Sequence, residues 1–140
     1  MKVIPYIQFN GNCIQAITLY EKVFGVEAEI SRYKDAPPSA GHVLPEGTED
    51  YVMHAHFVLG GDMIMLCDMP PTEPVSIGNN IAISISFEDT ESVINAFNEL
   101  KVGGKAGMEP QETFWSKCFA IAEDKFGINW MLSHEYCIEQ

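Results

Sequence analysis

The chain has 140 residues, of which 46% are apolar, and its 8 Lys and Arg against 20 Asp and Glu give a formal net charge of −12. A chain of this length forms a domain of ordinary size that folds without a disulfide or metal. The acidic balance argues against nucleic acid and membrane surfaces as partners. No apolar run approaches the roughly 18 residues that span a bilayer, so we expect a cytoplasmic protein.

Hydrophobic periodicity and breaker residues predict one helix and four strands in the first half of the chain. The helix covers residues 13–24, where Asn12 and Gly25 are placed to cap its two ends. Prolines and glycines make residues 34–50 an irregular loop. The four strands are predicted over residues 3–9, 27–33, 51–59 and 63–67.

The second half of the chain repeats this order after a linker that contains three prolines, residues 69–80. Its helix is predicted over residues 90–102 and ends at Gly103 and Gly104. Its strands are predicted over residues 81–87, 105–108, 115–122 and 129–134.

The two halves resemble copies of one unit. Aligning Tyr20 with Phe97 gives an offset of 97 − 20 = 77 residues, whereas aligning Met65 with Met131 gives 131 − 65 = 66. The 11-residue difference falls on the irregular loop, which the second half shortens. We therefore predict an α+β fold of tandem βαβββ modules in a single domain. The predicted bounds are about 1–68 for module one, 69–80 for the linker and 81–136 for module two.

Three motifs carry a family resemblance. The most specific are residues 111–115 (QETFW) and 124–131 (DKFGINWM), and residues 5–13 (PYIQFNGNC) support them. Together they resemble the PhnB-like family of the vicinal oxygen chelate superfamily, which includes glyoxalases, bleomycin-resistance proteins and extradiol dioxygenases. The resemblance extends nearly end to end. It implies mixed sheets that curl around a small-molecule cavity, and a homodimer as the usual assembly.

The resemblance also indicates where a metal would bind. In the metalloenzymes of the superfamily, the first and last strands of each module supply the ligands. The corresponding positions here fall at or near Pro5, Ala82, Met65 and Met131. Proline and alanine side chains cannot ligate a metal, and thioethers are poor ligands for hard divalent ions. We therefore expect neither the usual four-ligand site nor a cofactor.

His54 and His56 lie two residues apart on a predicted strand, so both project from one face. Such a pair can ligate a displaced divalent metal if a carboxylate joins it. The alternatives are that these histidines line a pocket or the dimer seam, or that they serve the structure alone. The other face of the strand is more apolar and should meet the helix, which leaves both histidines on the concave side. The candidate carboxylates are Glu49, Asp50 and Glu112.

Aromatic, thioether and hydroxyl groups in module two are further candidates for binding. Ser84 is predicted to face the cavity from its strand, while Ile81 on the opposite face should meet the helix. Aromatic rings and methionines bind flat or apolar ligands, although they also serve as ordinary core. Glu112 precedes two aromatic residues and is the acid–base candidate, because desolvation there would raise its pKa. The ring and thioether candidates are Phe114, Trp115, Trp130 and Met131.

The cysteines are widely spaced and form no C-x-x-C pair, which favours free and mostly buried thiols. They are Cys13, Cys67, Cys118 and Cys137.

Three functions fit these observations. The first is a PhnB-like protein that binds an apolar or aromatic small molecule without the usual metal. The second is a metal-dependent lyase, isomerase or dioxygenase with a displaced site on His54 and His56. The third is a structural or interaction domain with a vestigial cavity.

Overall fold

A computed structural model describes residues 1–36 and 45–136 of the chain. The chain divides into two units, Met1–Ser76 and Ile77–Gln140. Each unit contains a four-stranded sheet and one α-helix of 11 or 12 residues. Neither helix has the length and apolar character needed to cross a membrane. Residues 37–44 of the predicted loop, and Cys137, lie outside the described residues.

The first unit is a mixed sheet in the order β1-β4-β3-β2, hereafter the first sheet. Strand β1 pairs with β4 in parallel, and the other two pairings are antiparallel. The first strand follows Pro5 and is an edge of this sheet, where a proline is tolerated. The elements are β1 (Tyr6–Phe9), α1 (Cys13–Phe24), β2 (Glu29–Arg32), β3 (Val52–Leu59) and β4 (Asp62–Asp68), with a short 3-10 turn at Tyr33–Asp35.

The second unit repeats the arrangement in the order β5-β8-β7-β6, hereafter the second sheet. Here β5 pairs with β8 in parallel, and the other pairings are antiparallel. The predicted α+β fold of tandem βαβββ modules is therefore confirmed. The elements are β5 (Ala82–Ser86), α2 (Thr90–Leu100), β6 (Lys105–Gln111), β7 (Ser116–Glu123) and β8 (Asn129–Glu135).

Helix α1 covers one face of the first sheet through an aromatic cluster. The ring of Phe57 on β3 lies 6.3 Å from Tyr20 and 6.4 Å from Phe24, measured between centroids. Because side chains alternate along a strand, His54 and His56 project from the opposite face. We call the face of each sheet that is turned away from its own helix the open face. Both histidines therefore lie on the open face, away from the helix, as the sequence predicted.

The predicted alternation is wrong at the start of β3. Ser31 on β2 pairs with His54, but the next residue, Arg32, pairs with Val52, so that Met53 is skipped in the register. Such a bulge reverses the face on which the residues beyond it lie. Regular alternation would place Val52 on the histidine face, but Val52 is fully buried instead.

The predicted cap of α1 also needs correction. The side chain of Asn12 makes no capping hydrogen bond. Instead, the buried carboxylate of Asp68, at the end of β4, accepts hydrogen bonds from the backbone N–H groups of Gly11 and Cys13 at 2.9 and 3.0 Å. Its second oxygen accepts the N–H of Val52 at 2.9 Å. One carboxylate from a distant strand thus caps the helix and holds β3.

The second unit buries one side of α2 and one side of its sheet. Ile81 was expected to pack against the helix, but β5 begins only at Ala82 and the side chain of Ile81 is 78% exposed. The prediction for Ile81 is wrong because the strand is shorter than its run of β-forming residues. The buried apolar residues are Val93, Ala96, Phe97, Leu100, Cys118, Ala120, Ala122, Trp130 and Leu132.

Candidate functional site

The open face of the first sheet brings three strands together around a methionine. Met65 on β4 lies opposite Tyr6 on β1 and opposite His56 on β3. Directly paired residues on one face have side chains within contact range. A phenol, a thioether and an imidazole therefore stand side by side across this face.

Polar contacts continue along the same face. The hydroxyl of Tyr6 hydrogen-bonds to Nδ1 of His54 at 3.1 Å. The rings of His54 and His56 lie 6.0 Å apart, and Nε2 of His56 is 3.4 Å from Oε2 of Glu29. Tyr6 is 49% exposed, so a ligand can reach this group from solvent. The open face thus offers both donors and acceptors of hydrogen bonds.

Burial changes the pKa values of the acidic groups beside the Tyr6–His54 hydrogen bond. It raises the pKa of the Cys67 thiol and the pKa of the Tyr6 phenol, which also hydrogen-bonds to Cys67. Both groups are therefore protonated at neutral pH. The pKa of Tyr33 is raised by burial as well, and by the nearby acidic groups Cys67 and Asp68. The first sheet thus presents neutral hydrogen-bonding groups rather than an activated thiolate.

The positions at which the superfamily places metal ligands carry a donor set unsuited to a hard metal. In the strand register, Met65 lies opposite Tyr6 and Met131 lies opposite Ser84. The open-face counterparts are therefore Tyr6 and Ser84, one and two residues beyond the predicted Pro5 and Ala82. Two thioethers, a protonated phenol and a serine hydroxyl do not fit a hard divalent ion.

Two of the three carboxylates expected to complete a displaced metal site, Asp50 and Glu112, have other partners. Oδ1 of Asp50 lies 2.8 Å from Nζ of Lys34, whose hydrogen bond and charge lower the pKa of that carboxyl. Oε1 of Glu112 accepts a hydrogen bond from the hydroxyl of Tyr136 at 2.6 Å. Within residues 1–36 and 45–136, no three His, Cys, Asp or Glu side chains are grouped so that they could hold a metal ion.

The second sheet has an open face of a different character. Met131 on β8 lies opposite Ser84 on β5 and opposite Ile121 on β7. Met131 is 37% exposed, and Ser84 is exposed as well. These two predicted binding residues are therefore direct neighbours on an accessible surface.

Trp130 lies on the other side of the same strand. Its ring is fully buried, and its indole N–H donates to Oδ2 of Asp124 at 2.9 Å. Of the two alternatives that the sequence left open, binding a ligand and filling the core, the geometry places Trp130 in the core. We therefore do not include it in a binding surface.

The turn between β6 and β7 displays the remaining predicted residues. The rings of Phe114 and Trp115 are perpendicular, with centroids 4.7 Å apart, and Trp115 is also perpendicular to Phe119 at 5.5 Å. Glu112 is exposed, and its Oε1 accepts a hydrogen bond from the hydroxyl of Tyr136 at 2.6 Å. The predicted desolvation of Glu112 is therefore wrong, because the adjacent rings do not cover it.

Sequence reasoning missed Tyr6 and Cys67 as members of the site. Tyr6 stands in the motif of residues 5–13, and period-two alternation places it on the face opposite the buried Ile7 and Phe9. That signal was present in the sequence. The pairing of β1 with β4, which brings Tyr6 beside Met65, depends on a contact between residues far apart in the chain.

Comparison with known proteins agrees with this fold. The family model described as Glyoxalase/Bleomycin resistance protein/Dioxygenase superfamily matches residues 3–132. Protein YjdN of Escherichia coli (strain K12) is 32% identical over 141 residues, covering 95% of each chain.

Two solved structures are similar over nearly their whole length. Protein PA1353 of Pseudomonas aeruginosa has a TM-score of 0.81 and 30% identity, covering 96% of this chain and 98% of its own. The PhnB protein of Bacillus cereus has a TM-score of 0.76 and 26% identity, covering 96% and 99%. The chain therefore belongs to the glyoxalase/bleomycin resistance protein/dioxygenase superfamily and is one of its PhnB-like members.

Proposed function

We propose that this protein binds a small apolar or aromatic molecule on the open face of its first sheet, without the usual metal of the superfamily. The observation that carries the proposal is the hydrogen bond between Tyr6 and His54 beside the thioether of Met65. Binding sites for small molecules combine apolar and aromatic surface with a few placed polar groups. This face has both.

The chemistry of these side chains suits a ligand with a flat ring and one polar substituent. Methionine adapts its shape to a ring and makes favourable sulfur–ring contacts. The phenol of Tyr6 and the imidazole of His54 together offer a donor and an acceptor to a substituent on that ring. His56, on the same face, extends the polar part of the surface.

Ser84 and Met131 provide a second surface, which lies on the open face of the second sheet. We propose that it also contributes to ligand binding and that the protein works as a homodimer, as the PhnB-like resemblance implies. Size-exclusion chromatography with light scattering tests the dimer, and a mass of one chain contradicts it.

A metal-dependent lyase, isomerase or dioxygenase is the second candidate, and the position of Glu29 beside His56 favours it. Elemental analysis of untagged protein purified without chelator tests it directly. Near-stoichiometric metal that disappears in His54→Ala supports this candidate and contradicts metal-free binding. A metal content below about one-tenth of an ion per chain, measured after incubation with divalent ions, contradicts this candidate. The reason is that an ion bound with useful affinity would remain on the protein.

A thermal-shift screen against aromatic and heteroaromatic metabolites tests the first proposal. A ligand at about 100 times its Kd stabilises the folded state by about 2.7 kcal/mol. We expect Tyr6→Phe to reduce the shift, because it removes the hydroxyl that contacts His54 while keeping the ring. Tyr136→Phe removes a phenol hydroxyl from a tyrosine of the second unit and is the matched control. Equal shifts in both variants and the parent protein place the ligand elsewhere and contradict the proposal.

A further inference from the structure

An aromatic corner lies at the turn between β6 and β7 in the second unit. Phe114 is 92% exposed and Trp115 is 45% exposed, although both are large apolar side chains. Their rings stand at 84° to each other with centroids 4.7 Å apart. Phe119 adds a third ring at 71° to Trp115. Perpendicular rings form two walls of a corner that is open to solvent.

An acidic group stands beside this corner. Glu112 lies two residues before Phe114 and is exposed, and the hydroxyl of Tyr136 holds one of its carboxylate oxygens at 2.6 Å. That hydrogen bond raises the pKa of Tyr136, so the phenol remains a neutral donor. The carboxylate of Glu112 is therefore held in a restrained position, and within residues 1–36 and 45–136 no Lys or Arg forms an ion pair with it.

The same turn contains an unpaired hydroxyl. Oγ1 of Thr113 is buried and has no hydrogen-bond partner in the described part of the chain. Buried polar atoms are nearly always paired, so an unpaired one needs an explanation. A ligand hydroxyl that reaches Oγ1 of Thr113 would supply the missing partner.

We propose that Glu112, Phe114 and Trp115 form a binding site for an organic cation, such as a quaternary or alkylated ammonium group. The faces of aromatic rings carry negative potential and attract cations, which is the basis of aromatic cages. The carboxylate adds charge attraction, and the net charge of −12 raises the local concentration of cations around the protein. An anion would be repelled by the same groups.

A neutral apolar ligand could use the rings but would gain nothing from Glu112. Isothermal titration calorimetry with choline and with its uncharged isostere 3,3-dimethylbutan-1-ol separates these two classes, because both probes have the same shape. We expect choline to bind in the millimolar range or tighter, and the neutral alcohol to bind on the order of tenfold more weakly. Equal affinities for the two probes, or no choline binding up to about 50 mM, contradict the proposal.

Variants locate the site. Phe114→Leu keeps an apolar side chain at an exposed position and should weaken choline binding about two- to fivefold, which is the loss of one exposed cation–π contact. Glu112→Gln should weaken it by a similar factor. Glu109→Gln removes the same charge from an exposed position three residues earlier and is the matched control. If Glu112→Gln and Glu109→Gln lose the same choline affinity, the effect comes from the general charge of the protein, and this result contradicts the proposed site.

The proposal goes beyond binding on the first sheet and does not depend on it. Choline binding that Phe114→Leu weakens and Tyr6→Phe leaves unchanged supports an independent cation site. Weakening by Tyr6→Phe alone assigns the cation to the first sheet and contradicts this proposal, while leaving small-molecule binding there intact.

Discussion

The carboxylate of Asp124 and the indole of Trp130 form a buried hydrogen bond of 2.9 Å, six residues apart across the turn between β7 and β8. The other oxygen of Asp124 accepts the backbone N–H groups of Phe126 and Ile128 at 2.9 and 3.1 Å. One side chain therefore shapes the turn and positions the largest residue of the core. This is the physical role of the aspartate and tryptophan in the motif of residues 124–131.

Asp124→Ala should destabilise the protein by about 3 kcal/mol or more, because three N–H groups lose their acceptor at a buried site. Urea unfolding followed by circular dichroism measures the loss. Asp62→Ala, which changes an exposed aspartate at another strand turn, is the control and should have little effect. A loss below about 1 kcal/mol for Asp124→Ala would mean that water satisfies these groups.

Local periodicity was sufficient to predict the elements and their order. The helix over 13–24 and the side of the two histidines follow from spacing alone. Trp130 shows the limit of that reasoning: its sequence neighbours do not distinguish a core ring from a binding ring, and only its contact with Asp124 does. Met53 shows another limit, because a bulge depends on how two strands align and not on the composition of either.

The cap of α1 is a further case in which a distant residue decides local structure. Asp68→Asn keeps one acceptor oxygen and replaces the other by an amide nitrogen, so either Val52 or the pair Gly11 and Cys13 loses the acceptor of its N–H groups. We expect a loss of about 2–4 kcal/mol, measured by urea unfolding. Asp89→Asn alters the exposed cap of α2, whose carboxylate accepts the N–H of Ser92, and should cost less. A larger loss for Asp89→Asn would contradict this assignment.

Gly104 follows α2 and was predicted only to end a helix. A Cβ at this position would overlap the backbone carbonyl oxygen of Glu123, so the close approach of two chain segments requires a glycine. Gly104→Ala should cost at least about 2 kcal/mol of folding stability in thermal or urea unfolding. At Gly78 an added Cβ meets only ordinary contact distances, so Gly78→Ala is the control. Equal stability of the two variants would show that the segments move apart without penalty.

The buried thiols predict how stability depends on pH. Burial raises the pKa of Cys13 above its unfolded value, with a further contribution from the charge of Asp68, and burial likewise raises the pKa of Cys118. Because the folded protein holds these protons more tightly, its stability is complete below about pH 8.5 and falls as pH rises further, where unfolded thiols ionise.

Urea midpoints measured between pH 7.5 and 10 should therefore decrease. Cys13→Ala removes the group with the largest rise in pKa, so its midpoint should decrease less steeply over the same interval. Cys118→Ala, which removes a buried thiol from the second unit, should flatten the dependence to a smaller extent. Identical slopes for the parent protein and Cys13→Ala would mean that other groups, such as the tyrosines, control the loss of stability at alkaline pH.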